Sequence, residues 1–201
     1  MEKENHIPSD TSLPRPPLNG GDILISSPLL QDPNFKRSAV LILQRDSSGG
    51  HLGLVLNQPL QLSLNEVCHM PGPEAGLPLF GGGPVDMQRL FWVHTLGEQL
   101  PDSVEVLPGL WVGGNYETLM ERFATGRPMK DHIRFYLGYS GWSPDQLEKE
   151  IDAGAWVVLS NFLDPGMLIR SSADRVGPDL VRNLGPSYRH WLMLPPHPSL
   201  N

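Results

Sequence analysis

A single cysteine, Cys68, stands among 201 residues, so no internal disulfide can form, which fits a reducing compartment. No apolar run approaches the roughly 20 residues that a membrane-spanning helix needs. The first twenty residues lack the apolar stretch of a secretory signal. Positive charge is also scarce: 15 Lys and Arg stand against 22 Asp and Glu, a formal net charge of −7. Duplex DNA is held largely by basic side chains on phosphates, so no nucleic-acid partner is expected. The seven histidines are scattered without ligand spacing, and neighbouring Cys68 and His69 point apart in most backbones. Neither a metal site nor a cofactor is expected.

What is present describes a globular chain, with 39% apolar and 18% charged residues in a length suited to one core. The 21 glycines and 21 prolines predict many turns and short elements. Residues 1–19 carry Pro8, Pro14, Pro16 and Pro17 with few apolar groups, and read as a flexible leader. A single domain is expected over 20–194, followed by a loose tail over 195–201. The stretch from Ser171 holds Leu180, Val181, Leu184, Tyr188, Trp191 and Leu192, enough apolar surface to predict a helix or arm that docks on something.

Ile23–Ser26, Ala39–Leu43 and Ala155–Leu159 are near-continuous apolar runs, as in strands covered on both faces. Leu52, Leu54 and Leu56 alternate with their neighbours, as do Leu90, Trp92, His94 and Leu96, and Ile133, Phe135 and Leu137. The loop 46–50 suits a hairpin. Pro108-Gly109 fits a type II turn, whereas tight hairpins prefer the primed types, which weighs against close pairing of its flanks. Helix starts are legible at Ser63-Leu64-Asn65-Glu66, at Asn115, and at Ser143-Pro144-Asp145-Gln146 with proline in the first helical position. Runs of strands broken by single helices predict an α+β fold with a mixed sheet.

Four segments in order carry a pattern: Leu30 to Val40 (LQDPNFKRSAV), Gly50 to Pro59 (GHLGLVLNQP), Phe80 to Val85 (FGGGPV) and Leu137 to Trp142 (LGYSGW). The last is followed by Gln146-Leu147-Glu148, Glu150 and Trp156. From about Gly21 to Trp156 the chain resembles the bacterial YqgE/AlgH family. The resemblance implies a branched, mixed β-sheet curled into a pseudo-barrel with a few flanking helices, in a cytoplasmic protein. It implies no reaction, and the family's regulator label has no DNA-binding motif behind it. One departure is visible: Asp145 stands where the family usually has glycine.

Two glycine motifs invite functional readings. Phe80-Gly81-Gly82-Gly83-Pro84 could offer backbone N–H groups to an anion, but lacks the Lys and Ser/Thr of a phosphate-binding loop; a tight bend where two backbones meet is the simpler account. Gly138-Tyr139-Ser140-Gly141-Trp142 approaches a hydrolase elbow, with His190 further on. Trp142, however, replaces the last glycine, so a sharp turn from strand into helix fits better. Cys68, late in a short helix, reads as an inert thiol. Arg37 and Ser38 precede one strand and Asn57 ends its antiparallel neighbour, so the three should meet. With Gly82 and Gly83 they form the expected ligand-binding set, suited to a carboxylate or phosphate. No catalytic residue is assigned. The leading expectation is a non-enzymatic binding or interaction protein, taking a protein partner or small anionic ligand, without membrane or nucleic acid. The alternative is an enzyme of the hydrolase class acting on a small anionic or nucleotide-like ligand, and direct DNA binding ranks last.

Overall fold

The computed structural model describes residues 17–45, 47–72 and 76–194. The loose tail expected over 195–201 and most of the expected leader lie outside them. Among the described residues the order is β1 (Ile23–Ser26), β2 (Ala39–Arg45), β3 (His51–Val55), β4 (Pro59–Ser63), α1 (Leu64–Val67), β5 (Pro78–Gly81) and β6 (Val85–His94). There follow β7 (Ser103–Leu107), β8 (Leu110–Gly113), α2 (Tyr116–Ala124), β9 (Ile133–Trp142), α3 (Gln146–Asp152), β10 (Trp156–Leu159), α4 (Pro165–Arg170) and α5 (Ala173–Asn183). A 3₁₀ helix over Pro186–Met193 ends the described chain.

The strands form one curled sheet in the order β10-β1-β2-β3-β9-β6-β8-β7, with β4 and β5 branching from β9. Pairing is antiparallel except between β5 and β9, so the sheet is mixed. It makes a half-barrel, the α+β architecture expected. Inside its curl Ile23, Ile25, Leu41, Leu54, Phe80 and Tyr136 pack against Leu168, Ile169, Val176 and Leu180 of α4 and α5. The opposite face of β1 and β2, through Leu24, Val40 and Ile42, packs with Leu147 and Ile151 of α3. The near-continuous apolar runs exist because both faces are covered. A third cluster joins Ile133, Phe135 and Leu137 to Leu119 and Phe123 of α2.

The caps behave as their chemistry dictates. Asn115 accepts the Thr118 N–H at 2.9 Å, and Glu66 accepts the Ser63 N–H at 2.7 Å. At α3 only half of the box forms: Gln146 reaches back to the Ser143 N–H at 3.0 Å. The helix itself begins at Gln146, after Asp145 at φ 60°, so Pro144 is not its first residue. That left-handed backbone is one that glycine would adopt without a steric cost. β7 and β8 do pair across Pro108-Gly109, with Leu107 opposite Leu110 and an irregularity in register between Glu105 and Leu107.

Two buried polar groups lock distant elements together. Arg134 on β9, only 7% exposed, donates to the carbonyls of Ile169 (2.7 Å) and Ser171 at the C-terminal end of α4, where a cation is favoured, and lies 4.4 Å over the Phe80 ring. His94 is wholly buried: its Nδ1 accepts the Leu96 N–H, while its Nε2–H serves Ser103 Oγ at 2.9 Å and the Gly113 carbonyl. Burial, with the charge of Arg122 adding to it, pushes the imidazole down to about 4 although the Gly113 contact opposes this. Between pH 6.5 and about 4 the unfolded chain therefore binds the extra proton. Stability is full above that window and falls as the pH drops through it, by on the order of 3 kcal/mol. Urea midpoints at pH 7.5 and 4.5 should show this loss, and His94→Gln should flatten the difference.

Candidate functional site

The twelve-residue connection between β1 and β2 ends in a run of turns over 33–37. Asp32 accepts the Asn34 N–H on Oδ1 at 2.8 Å, and its carbonyl takes the N–H groups of Phe35 and Lys36. The turn ends with Arg37 at φ 55°, in the left-handed region. Among the described residues the other non-glycine positions with positive φ are Asp86, Asp102, Asp145 and Asn161. Asp and Asn visit that region readily; an arginine there costs on the order of 1–2 kcal/mol. Asn57, just beyond β3, holds Arg37 in place. Its Oδ1 accepts the Ala39 N–H at 3.0 Å and its Nδ2 donates to the Arg37 carbonyl at 2.9 Å. Gln58 adds a bond to the Asn34 carbonyl at 2.6 Å and a longer one to Ser38 Oγ at 3.4 Å.

Arg37, Ser38 and Asn57 line one side of a cleft of about 690 Å³. Ile25, Ser26 and Pro28 continue that side. The far wall is α5, through Asp174, Gly177, Pro178, Val181 and Arg182, and Trp191 and Leu192 of the 3₁₀ helix close the end. A Cβ at Gly177 would lie 3.6 Å from Asn57 Nδ2, so helix and clamp approach closely. The Ser26 hydroxyl is buried and has no hydrogen-bond partner. Arg37 Nη2 donates to the Leu194 carbonyl at 2.7 Å, which fastens the end of the described chain over the cleft.

Gly82 and Gly83 do not line this cleft. The Gly82 N–H donates to the Leu137 carbonyl, and its own carbonyl accepts from the Val55 N–H at 2.8 Å and from Ser140 Oγ at 3.1 Å. The Gly82 backbone groups are used in holding the sheet together, and a Cβ at Gly83 would lie 2.3 Å from the Tyr139 carbonyl carbon, so this is the tight bend of two backbones favoured above, and the placing of Gly82 and Gly83 in the ligand-binding set is corrected. Gly138 to Trp142 is corrected too. It is no turn but the second half of β9, which bends at Gly138 (φ 70°) and moves from pairing with β5 to pairing with β3. Ser140 is fully buried inside this strand, which removes it as a nucleophile.

The remaining motif residues form a structural cluster on the outer face of the sheet. The indole N–H groups of Trp142 and Trp156 both donate to Glu150 Oε2, at 3.1 and 2.8 Å, and Gln146 donates to Oε1. Phe35 stacks on Trp142 with centroids 5.7 Å apart. His51, buried, donates to Glu148 at 3.0 Å. Burial is the largest single influence and would raise the Glu148 carboxyl, but the His51 hydrogen bond, a backbone N–H and the nearby charge of Arg45 together hold the group below its ordinary range.

A second cavity, of about 780 Å³, lies between the two sheet edges, bounded by Val106–Pro108 on one side and Trp156–Val158 on the other. Its lining includes Pro17 to Asp22, and Asp22 is the one charged residue among those that line it. Leu18, assigned from the sequence to the leader, is 8% exposed and packs in the core beside α3. Among the described residues no three His, Cys, Asp or Glu side chains gather as a metal site requires. No helix in that set is long and apolar enough to cross a membrane.

A model of the AlgH-like family matches residues 23–189. The chain belongs to that family. The match runs past Trp156 to take in α4, α5 and part of the 3₁₀ helix, so both walls of the cleft fall within the family's domain. A UPF0301 protein of Bacteroides fragilis is 35% identical over 181 residues, covering 90% of each chain. One from Chlorobaculum tepidum is 34% identical, covering 92% of this chain and 96% of the relative. The solution structure of the AlgH protein from Pseudomonas aeruginosa superposes with a TM-score of 0.68 at 27% identity, covering 89% of this chain and 95% of that one. A Corynebacterium diphtheriae protein shares the fold, with a TM-score of 0.70 at 19% identity and coverage of 89% and 94%.

Proposed function

We propose that this protein is a non-enzymatic binding protein that takes a small anionic ligand in the cleft between the β2–β3 ends and α5. The observation that carries the reading is Arg37. A strained backbone persists only where its surroundings over-determine it, and such residues gather at ligand clamps. Here the two-sided grip of Asn57 supplies that over-determination, and the strained residue is a guanidinium on a cleft of metabolite size. Among the described residues no His, Cys or Lys side chain lines the cleft, and its one carboxylate, Asp174, stands on the wall opposite Ser26 and Ser38.

Arg37→Gly separates strain from recognition. Glycine adopts φ 55° without penalty, so the variant should unfold at the same midpoint or be up to about 1 kcal/mol more stable. Wild-type protein should gain thermal stability with small carboxylates, because a ligand of the native state alone raises its midpoint. Arg37→Gly should lose that gain. A rise that survives the substitution would move the site elsewhere.

A further inference from the structure

The cleft carries more information about its ligand than a charge sign. Its apolar surface comes from Ile25, Pro28, Val181, Trp191 and Leu192, and is larger than a bare inorganic ion could use. Its charges are few. Arg182 on the helix side is paired with Asp179, and Asp174 adds a carboxylate to the same wall. A dianionic phosphate or a polyphosphate would meet Asp174 with only Arg37 to offset its charge, and the cleft has no lysine and no open glycine nest. One negative charge is what this balance admits.

The chain itself displays a chemistry that fits. Residues 191–194 set the Trp191 and Leu192 side chains against the cleft and a carbonyl oxygen on Arg37 Nη2 at 2.7 Å. The carbonyl of Leu194 holds the position that one oxygen of a carboxylate would take. Leu29, Met193 and Leu194, which adjoin the lining in sequence, are 80%, 85% and 41% exposed.

Building on the anion-binding reading above, we infer that the ligand is an amphipathic monocarboxylate. Its carboxylate replaces the Leu194 carbonyl at Arg37, and its apolar body lies between Val181 and Trp191. A carboxylate accepts a shorter and stronger bond from guanidinium than a neutral carbonyl does, so the exchange favours the ligand. Binding therefore releases residue 194 from Arg37.

The test uses the full chain with hexanoate, hexan-1-ol and inorganic phosphate as probes, followed by calorimetry and by the Leu194 amide signal in NMR. Hexanoate should bind and shift that signal, while hexan-1-ol and phosphate should bind at least about tenfold more weakly. Val181→Asp should abolish hexanoate binding by placing a like charge and a polar group against the ligand body. Arg37→Gln, which keeps a polar but shorter and uncharged side chain, should do so by removing the cation. If phosphate binds in an Arg37-dependent way and hexanoate does not, the amphipathic ligand is overturned while the anion cleft stands. If hexanoate binds without moving the Leu194 signal, the exchange at Arg37 is wrong. If no probe binds, both readings fall.

Discussion

Gly83→Ala is expected to cost at least about 3 kcal/mol, and to leave little folded protein if the parent is only marginally stable. Gly83 sits at φ 150°, and a Cβ there would lie 2.3 Å from the Tyr139 carbonyl carbon and 2.4 Å from the Ser140 nitrogen. Those are backbone atoms in the middle of β9, which cannot swing aside as a side chain can. Overpacking in a core ordinarily costs about 1–3 kcal/mol; here the strained φ adds to it. Relief would require β9 to move away from β3, and the β3–β9 pairing is what joins the two parts of the sheet. A chemical-denaturation curve checks this. A loss under about 1 kcal/mol would mean that the crossing of the two chains is looser than described.

The second large effect belongs to the paired tryptophans. Trp142 and Trp156 are 4% and 2% exposed, meet edge to face with centroids 6.1 Å apart, and share Glu150 as acceptor. Either one replaced by alanine should cost about 3–5 kcal/mol, since an aromatic side chain leaves a void that α3 and β10 cannot fill. Trp156→Phe keeps most of the apolar area and removes only the N–H donated to Glu150, so about 1 kcal/mol is expected. The urea midpoint should fall with an unchanged slope in each case. Equal losses for Trp156→Ala and Trp156→Phe would show that the shared carboxylate, not the ring, dominates.

Much of the candidate site was legible before the fold was known. Arg37 and Ser38 precede one apolar run, Asn57 ends the next, and antiparallel pairing of two strands joined by a short loop must bring those ends together. What could not be read was the opposite wall. The apolar residues of the tail announced that it docks, but α5 finds its place through Val176 and Leu180 inside the curl of a sheet whose strands lie far away in sequence. The reading of Gly82 and Gly83 failed for a related reason. A glycine run has the same local freedom whether it faces an anion or another backbone, and only the chain crossing it decides between them.

The sequence alone determined what near neighbours and simple periodicity control. Ile23–Ser26 and Ala39–Leu43 are strands because an unbroken apolar run needs cover on both faces, and Asn115 begins a helix because its side chain satisfies an N–H three residues on. Tertiary structure decided the features whose partners are remote. Gly138–Trp142 has the composition of a turn, yet beyond the bend at Gly138 it continues as a strand because β3 and β6 pair with it. Arg134 occupies a strand position that would suit a solvent-facing charge, yet is buried because the C-terminal carbonyls of α4 receive its guanidinium. Arg37 is written into the chain as one basic residue among several. Its strained backbone and its place on a cleft arise only when Asn57 is brought across the sheet to hold it, since a left-handed arginine is stable only where contacts from elsewhere offset its local cost.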